Sequence, residues 1–426
     1  MKKSLLLFLL ALVVVAGEAQ ENNKPSVKLY GFIRNYIDFD TRENLSSNSD
    51  QFNMIPKDES LNKYGDDLNE RSDIHLLSIT TRLGLNITGP EFLGAKTSAK
   101  IETDLAGFGT SNTVLRIRQA YAKLDWSSDN LLVGQAWHPM MGDMMPDVFS
   151  LATGAPFTPF SRTPQIRYNH LAGKFTFTAT AMYQFQYLSY GPSEAKDDDG
   201  NVTYSSATSF EYARKAVIPE LYVQVMYKNG GFMAGAGVDM LTLKPRNEYI
   251  DNSGVRVKSK ENVIGFTPTL FASYKDGGWG LKGRVTYARN ASHLNMLGGY
   301  AVTKIKDSGE WEYGTLNSLT AWLDVTYKQK LKSGTITYCL FGGYGKNYGC
   351  NDDIADQKLM FIRGYKNVDS FWRVAPSVLY TQDAMQIGLE YEPTTVGYGT
   401  MNSDGSVEKT HSVTNHRICV MMKYNF

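Results

Sequence analysis

Ala95-Lys96-Thr97-Ser98-Ala99-Lys100-Ile101-Glu102-Thr103-Asp104-Leu105-Ala106-Gly107 alternates small or apolar residues with polar ones. Successive side chains of a β-strand point to opposite faces, so this stretch places Lys96, Lys100, Glu102 and Asp104 on one face. Four charges cannot enter a dry core unpaired, because burying each one costs several kcal/mol. The stretch therefore predicts a strand that has apolar surroundings on one side and water on the other.

The same alternation recurs along the chain, most clearly at 74–88 and 174–187. These stretches run to about a dozen residues or more, whereas strands of soluble sandwiches average about 5–6. Sixteen segments are predicted in all, an even number: 27–40, 74–88, 95–108, 113–126, 130–137, 164–170, 173–187, 217–229, 231–243, 260–275, 279–291, 319–331, 333–348, 369–381, 383–393 and 412–426.

The connections between these segments tend to alternate between short and long. Short turns rich in Gly, Asn and Asp are predicted at 89–90, 127–129, 172–173, 229–230, 276–278, 332–334 and 382–383. Long loops are predicted at 41–73, 138–163, 188–216, 244–259, 292–318, 349–368 and 394–411. Single-chain bacterial barrels have this asymmetry, with short periplasmic turns and long external loops. The predicted fold is an all-β, antiparallel, up-and-down transmembrane barrel of about sixteen strands.

The N-terminus predicts export. Lys2 and Lys3 precede an apolar run at 5–16, and Gly17-Glu18-Ala19 offers small residues at a cleavage site, so residues 1–19 are read as a signal peptide and 20–426 as the barrel. A membrane anchor is the alternative, but a spanning helix needs about 20 apolar residues. A transporter with a plug domain is disfavoured because little sequence precedes the first predicted strand.

Composition agrees with a β-rich chain and excludes some partners. Aromatic residues make up 12% of the sequence, and removal of the signal peptide leaves 42 basic and 42 acidic residues. This balance gives no global field that would attract nucleic acid. Cys339 and Cys350 can pair in an oxidising compartment or remain free, buried thiols. The scattered His and Cys residues show no zinc spacing, so neither a metal nor another cofactor is expected.

Two stretches resemble a known family. The chain ends in Phe426 with apolar residues at every second preceding position, which resembles the signal that the barrel-assembly machinery reads in outer-membrane proteins. Residues 133–168 contain Val133-Gly134-Gln135-Ala136-Trp137, Asp143, Pro146, Gly154-Ala155-Pro156-Phe157 and Arg162-Thr163-Pro164-Gln165-Ile166-Arg167-Tyr168, and this pattern resembles trimeric porins of the DcaP-like group. The resemblance implies a homotrimer in the bacterial outer membrane, with the third loop, about 138–163, folded into the lumen. The coiled-coil arm common in that group has no counterpart here, and the stretch 138–141 has no match.

The lumen is expected to be basic. If apolar residues face lipid, eleven basic residues face inward, namely Lys28, Arg34, Arg82, Lys96, Lys100, Lys174, Lys282, Arg284, Arg373, Arg417 and Lys423, against seven acidic ones, namely Asp38, Asp40, Glu102, Asp104, Asp239, Asp324 and Glu390. An excess of one sign in a narrow pore concentrates the opposite ion, so a mild anion preference follows. Arg162 and Arg167 flank the third loop and are the constriction candidates. The predicted pore-lining set is Arg34, Arg82, Lys96, Lys100, Glu102, Asp104, Arg162, Arg167, Lys282, Arg284, Arg373 and Arg417.

The alternative for any of these charges is an Arg–carboxylate ladder that braces the wall. The parity of 113–126 is ambiguous, which leaves Arg116 and Arg118 unassigned. Large aromatic residues near strand ends, Trp137 among them, are expected to face the lipid interface.

The predicted function is a porin that lets small hydrophilic solutes, anionic ones preferred, diffuse through a water-filled lumen. A non-conducting adhesin acting through the loops 41–73 and 188–216 is the first alternative. A barrel hydrolase is disfavoured, because Ser292-His293 and Asn415-His416 are adjacent pairs whose side chains point to opposite faces of a strand. No catalytic residue and no enzymatic activity are therefore expected.

Overall fold

A closed antiparallel barrel of sixteen strands makes up most of the chain. The computed structural model describes residues 25–47, 52–107, 114–142, 144–196 and 202–426. The barrel strands are β1 (Ser26–Asp40), β2 (Arg82–Phe92), β3 (Ala95–Asp104), β4 (Arg116–Asp125), β5 (Asp129–Trp137), β6 (Arg162–Ala172), β7 (Phe175–Met182), β8 (Glu220–Asn229), β9 (Phe232–Leu243), β10 (Val263–Asp276), β11 (Trp279–Arg289), β12 (Trp311–Leu331), β13 (Gly334–Gly349), β14 (Val368–Gln382), β15 (Met385–Met401) and β16 (Val407–Asn425). The predicted signal peptide lies outside the described residues.

The barrel closes between its first and last strands. β16 pairs with β1 from Phe32 opposite Asn425 to Asp40 opposite Arg417. The backbone of Phe426 extends this seam, because its N–H and C=O exchange two hydrogen bonds of 3.1 Å with Gly31. Every other barrel strand pairs with its neighbours in the chain, so the predicted up-and-down topology is confirmed.

The second strand position is interrupted. The short strand Asp73–Leu77 pairs with residues 36–40 of β1, and β2 pairs with residues 26–32. The sequence predicted one continuous strand over 74–88, but residues 78–81 form a turn with a 3.1 Å bond from the Thr81 N–H to the Ser78 carbonyl. The turn sends Thr80 into the barrel, where its hydroxyl accepts a 3.1 Å bond from Nε of Arg34.

Alternation within the strands gives the barrel an apolar outside. In β10 buried and exposed residues alternate over ten positions, and Ile264, Phe266 and Leu270 are outward and exposed. A continuous exposed apolar surface of this extent marks contact with lipid or protein. Trp137 is an exception, and its prediction was wrong, because its ring points inward and meets Phe160 edge-on at 5.4 Å.

A β-bulge explains the ambiguous parity of 113–126. In the pairing of β3 with β4, Glu102 faces Gln119 whereas Thr103 faces Ile117, so Arg118 is the extra residue. A bulge breaks the period of two and redirects side chains. As a result Arg116, Arg118 and Gln119 are all buried on the inner side.

Short turns join the strands at one end of the barrel. Leu93 and Gly94, with φ of 52° and 73°, form the turn between β2 and β3, as the mirror-image hairpin turns require. The sequence predicted this turn at Gly89-Pro90, but both strands continue past that point with an irregularity between Gly89 and Phe92.

The other end of the barrel carries long loops with secondary structure of their own. They contain the paired short strands Asn44–Ser47 with Phe52–Pro56, Tyr190–Lys196 with Val202–Thr208 and Glu248–Ile250 with Arg256–Lys258, and the strands Gly299–Ile305 and Met360–Ile362. The α-helices of the described ranges, Pro139–Gly142 and Glu211–Lys215, are both too short to cross a membrane. Cys339, Cys350 and Cys419 are free and buried, so Cys339 and Cys350 do not pair.

Candidate functional site: the barrel lumen

The loop 138–161, here loop 3, folds across the interior. Met140, Met141 and Phe157 are fully buried. The Phe157 ring lies 6.0 Å from Phe341 of β13 and 4.9 Å from Phe371 of β14, on the wall opposite the strands that carry the loop. Apolar packing therefore holds loop 3 inside the barrel, as the predicted fold requires.

Acidic wall residues fix the tip of loop 3. The Glu390 carboxylate of β15 accepts bonds of 2.7 Å and 3.0 Å from the backbone N–H groups of Phe149 and Ser150. Asp324 of β12 accepts the Asp147 N–H. Lys282 of β11 donates to the Asp147 carboxylate at 2.6 Å and to the Met145 carbonyl at 3.0 Å. Lys282, Asp324 and Glu390 were expected from the sequence to face the lumen. In the structure these charged side chains anchor loop 3.

A second segment also enters the lumen. All five residues of Phe52–Pro56 are buried, although the sequence placed them in an external loop. The Tyr398 hydroxyl donates to the Pro56 carbonyl at 2.6 Å, and the Asn53 amide donates to Asp40 at 3.2 Å. The apolar residues in this stretch were the available signal for its burial.

Arg373 of β14 connects the two inward segments. Its Nη2 donates to the Met54 carbonyl at 2.7 Å, and its Nη1 donates to the Ala155 carbonyl of loop 3 at 3.3 Å. Nε donates to the Thr394 hydroxyl at 2.8 Å and lies 3.4 Å from the Glu392 carboxylate. The planar guanidinium can reach these groups together because its donors point in fixed directions.

Basic residues dominate the inner wall from β1 to β6. Arg116 pairs with Asp104 at 2.8 Å, and Arg118 pairs with Glu102 at 2.9 Å and with Asp104 at 2.5 Å. Arg82 lies 3.7 Å from Glu102. The carboxylates of Glu102 and Asp104 thus interact with three arginines, as expected for an Arg–carboxylate ladder. Because three positive charges face two negative ones, this part of the wall keeps an excess of positive charge.

Arg162 and Arg167 occupy different environments. The Arg162 side chain is fully buried, lies 4.7 Å over the Trp137 ring and donates to the Tyr187 hydroxyl at 3.1 Å. Arg167 is partly exposed and donates to the Trp137 carbonyl at 2.6 Å. Of the two constriction candidates, Arg162 therefore braces the base of loop 3 and has no surface in contact with water.

The remaining predicted residues are spread along the inner wall. Arg417 forms a buried pair with Asp40 at 2.8 Å, and Arg284 lies 5.1 Å over the Phe271 ring. Lys100 is partly exposed over the Tyr30 ring at 5.0 Å, whereas Lys96 is exposed beside the first turn. The structure thus does not gather the twelve residues into one constriction.

A cavity of about 700 Å³ lies between loop 3 and the short-turn end of the barrel. Its charged lining residues are Arg34, Lys275, Lys282, Lys328, Lys423 and Asp147. Five bases thus face one acid, and Lys282 already pairs with Asp147. The lining of this cavity therefore carries a net positive charge.

A buried cluster beside the base of loop 3 escaped the sequence analysis. His138 and His293 both place Nε2 near Oε1 of Glu220 on β8, at 3.0 Å and 2.8 Å, and Asp239 of β9 lies 3.7 Å from Nε2 of His138. The four residues are widely separated in the sequence, so no spacing pattern could have indicated that they meet.

The fold and the lumen define the class of protein. A closed sixteen-stranded barrel with an apolar outside, a charged inside and a loop folded across the lumen is the architecture of an outer-membrane porin. The family model described as DcaP outer membrane protein matches residues 17–226. Over this stretch the chain is similar to DcaP outer membrane proteins.

Solved structures share the fold at low sequence identity. The outer membrane channel DcaP of Acinetobacter baumannii is 19% identical with a TM-score of 0.66, and the match covers 96% of this chain and all of that one. OmpT of Vibrio cholerae, expressed in the outer membrane, is 13% identical with a TM-score of 0.53, covering 96% of this chain and all of OmpT. A trimer form of the same OmpT gives a TM-score of 0.51 at 13% identity, covering 95% of this chain and all of that one. No curated protein sequence matches the chain.

Proposed function

We propose that this porin passes small hydrophilic solutes by passive diffusion and prefers anionic ones. The observation that carries the preference is the cavity below loop 3, where five basic residues and one acidic residue line about 700 Å³. A low-dielectric wall focuses such a field and raises the local concentration of anions. The driving force is the solute gradient, so the function needs neither catalysis nor a cofactor.

Residues that line this cavity, and not Arg162, are assigned to selectivity. Arg34 stacks on Phe32 and Tyr36 at 5.0 Å, and Lys423 lies 4.5 Å over the Phe32 ring. Both side chains thereby keep fixed positions on the wall beside the cavity. Arg162 contributes indirectly, because it holds the loop that narrows the passage.

The reversal potential of single channels in a salt gradient tests this proposal. Arg34→Gln combined with Lys423→Gln removes two cavity charges, and we expect the anion preference to fall or reverse sign. The control is Lys63→Gln with Lys409→Gln, which removes one exposed charge from an external loop and one from the start of β16, both outside the cavity, and changes the net charge equally. Cation selectivity of the unmodified protein, or an equal shift in the control, would contradict the proposal.

Conductance also separates the porin from an adhesin. We expect the purified barrel to give stepwise currents in a planar bilayer. A folded barrel without such currents would favour a binding protein that acts through its external loops. Lipase and protease assays on the same preparation test the expectation that the barrel has no enzymatic activity.

A homotrimer assembled through the barrel machinery is the proposed working form. The resemblance of residues 133–168 to trimeric porins supports it, as does the similarity to OmpT, which has been solved in a trimer form. We expect chemical cross-linking in detergent to stop at three chains, and deletion of Phe426 to reduce insertion. A monomeric mass by light scattering would contradict the trimer.

A further inference from the structure

We propose that His138, Glu220, Asp239 and His293 bind a divalent transition-metal ion such as Zn²⁺. The ligand atoms of His138, Glu220 and Asp239 all lie within 4.8 Å of one another. His293 approaches the same Glu220 oxygen to 2.8 Å from the turn Ser292–Leu294. All four residues are at most 2% exposed, so the cluster is sealed from bulk water.

The cluster contains polar atoms without partners. Oε2 of Glu220, Oδ1 of Asp239 and Nδ1 of His293 are buried and make no hydrogen bond. Oδ1 of Asp239 points into the cluster, since it is the atom 3.7 Å from Nε2 of His138. Buried polar atoms normally have partners, and an unpaired one costs about 1–3 kcal/mol, so three together indicate a missing partner.

Charge balance indicates that the partner is a cation. With neutral imidazoles the two carboxylates give the cluster two negative charges, and the ion pairs of Glu220 in the described structure involve only the two histidines. Isolated carboxylates are strongly disfavoured in a low-dielectric interior. One divalent ion neutralises both carboxylates without a change in the fold.

The donor set favours a metal that accepts both nitrogen and oxygen ligands. Imidazole and carboxylate suit Zn²⁺, which binds four ligands at about 2.0–2.2 Å in a tetrahedron, so neighbouring ligand atoms lie about 3.4 Å apart. The separations of 2.8 Å, 3.0 Å and 3.7 Å bracket that value. Nδ1 of His138 accepts a long 3.3 Å hydrogen bond from the Met140 N–H. A metal at Nε2 would require the ring proton to move from Nε2 to Nδ1, and this hydrogen bond would then break.

Such an ion would join three parts of the molecule. His138 begins loop 3, Glu220 and Asp239 lie on adjacent wall strands, and His293 belongs to the loop after β11. That loop also holds the other end of loop 3, because the Phe160 N–H donates to the Leu294 carbonyl at 2.7 Å. The metal would therefore hold both ends of loop 3 at one point of the wall.

Metal titration of the folded, chelator-treated protein in detergent tests the inference. We expect one Zn²⁺ per chain by elemental analysis, a visible absorption spectrum of tetrahedral Co²⁺, and a higher unfolding temperature with Zn²⁺. Glu220→Gln preserves shape but removes charge, and we expect at least about tenfold weaker binding, since even outer-shell changes cost about 10–100-fold. If Glu220→Gln does not show the heat-modifiable gel migration of a folded barrel, Asp239→Asn is used as the test variant instead.

His411→Ala is the matched control. His411 is an exposed imidazole paired with Asp58 at 2.6 Å, far from the cluster in the sequence and absent from it. We expect this variant to bind Zn²⁺ as the unmodified protein does, and His293→Ala to bind it more weakly. Equal binding by the unmodified protein and Glu220→Gln, or an equal loss in His411→Ala, would overturn the proposal. Neither result would affect the proposed anion preference, which rests on the cavity below loop 3.

Discussion

Arg373 is a single side chain on which two inward segments depend. Its guanidinium is only 2% exposed and donates to carbonyl groups at Met54 and Ala155. Hydrogen bonds to a charged group contribute about 1.5–3 kcal/mol each, and burial without them would be unfavourable. The width of the passage is therefore coupled to this residue.

Replacement of Arg373 should open the lumen. We expect Arg373→Ala to release Phe52–Pro56 and loop 3, so that single-channel conductance rises and current noise increases. Arg373→Lys keeps the charge but cannot span the same acceptors, because an ammonium group lacks the planar fork. We expect it to raise conductance as well, with less change in ion selectivity than the alanine variant. Conductance unchanged in both variants would show that the segments stay in place without Arg373.

The sequence could show which residues face the inside of the barrel, but it could not show which groups their side chains would contact. Parity along a strand is local, so alternation alone puts Arg82, Glu102 and Arg373 on one side of the wall. Whether such a charge meets water depends on the path of a loop distant in sequence. Arg162 and Trp137 illustrate this point, because both contact Phe160 of loop 3 and Arg162 is fully buried.

At the scale of elements, the strands followed from periodicity and the irregularities did not. Sixteen strands were predicted and sixteen form the barrel. The prediction succeeded because a polar residue on the outer face would meet hydrocarbon, so the alternation of polar and apolar residues marks each strand. The break at 78–81 and the bulge at Arg118 were not predictable, since each depends on side-chain contacts across the barrel. The inward strand Phe52–Pro56 was missed because a short apolar run does not specify what will cover it.

The external loops contain an acid-sensitive contact. Glu310 accepts a 2.6 Å bond from the Lys260 N–H, and its carboxylate lies 3.2 Å from Nζ of Lys306. The backbone bond, with the nearby Lys306 charge, lowers the pKa of Glu310. Because the pKa of Glu310 is lower in the folded protein than in the unfolded chain, this contact stabilises the loops fully at pH values above the unfolded pKa of about 4.3. The stabilisation is lost as the pH falls towards the pKa of the folded state.

Limited proteolysis at graded pH checks this contact with an acid-active protease. We expect cleavage in the loop segments 244–262 and 292–310 to rise below about pH 4, where free glutamate becomes protonated. In Glu310→Gln cleavage should already be high at neutral pH and vary less with acidity. A parallel pH response in both proteins would assign the effect to other carboxylates.

For the whole molecule, the seam between β1 and β16 is the place where closure can fail. A Cβ atom on Gly31 would lie 2.4 Å from the Arg82 carbonyl oxygen and 2.7 Å from Cζ of Phe426. Overpacking of this kind costs about 1–3 kcal/mol. We expect Gly31→Val to lower the yield of heat-modifiable barrel and its unfolding temperature. Gly342→Val is the control, because a Cβ atom there meets nothing within 4 Å.

The seam also makes closure of the barrel depend on both ends of its sequence. β16 contains nineteen residues at the end of the barrel sequence, and β1, its partner, is the first of the described barrel strands. Without β16 the sheet would keep two open edges, whose unpaired amide and carbonyl groups can pair with other chains. A chain truncated before Val407 would therefore be unable to close the barrel and would be prone to aggregate through these edges.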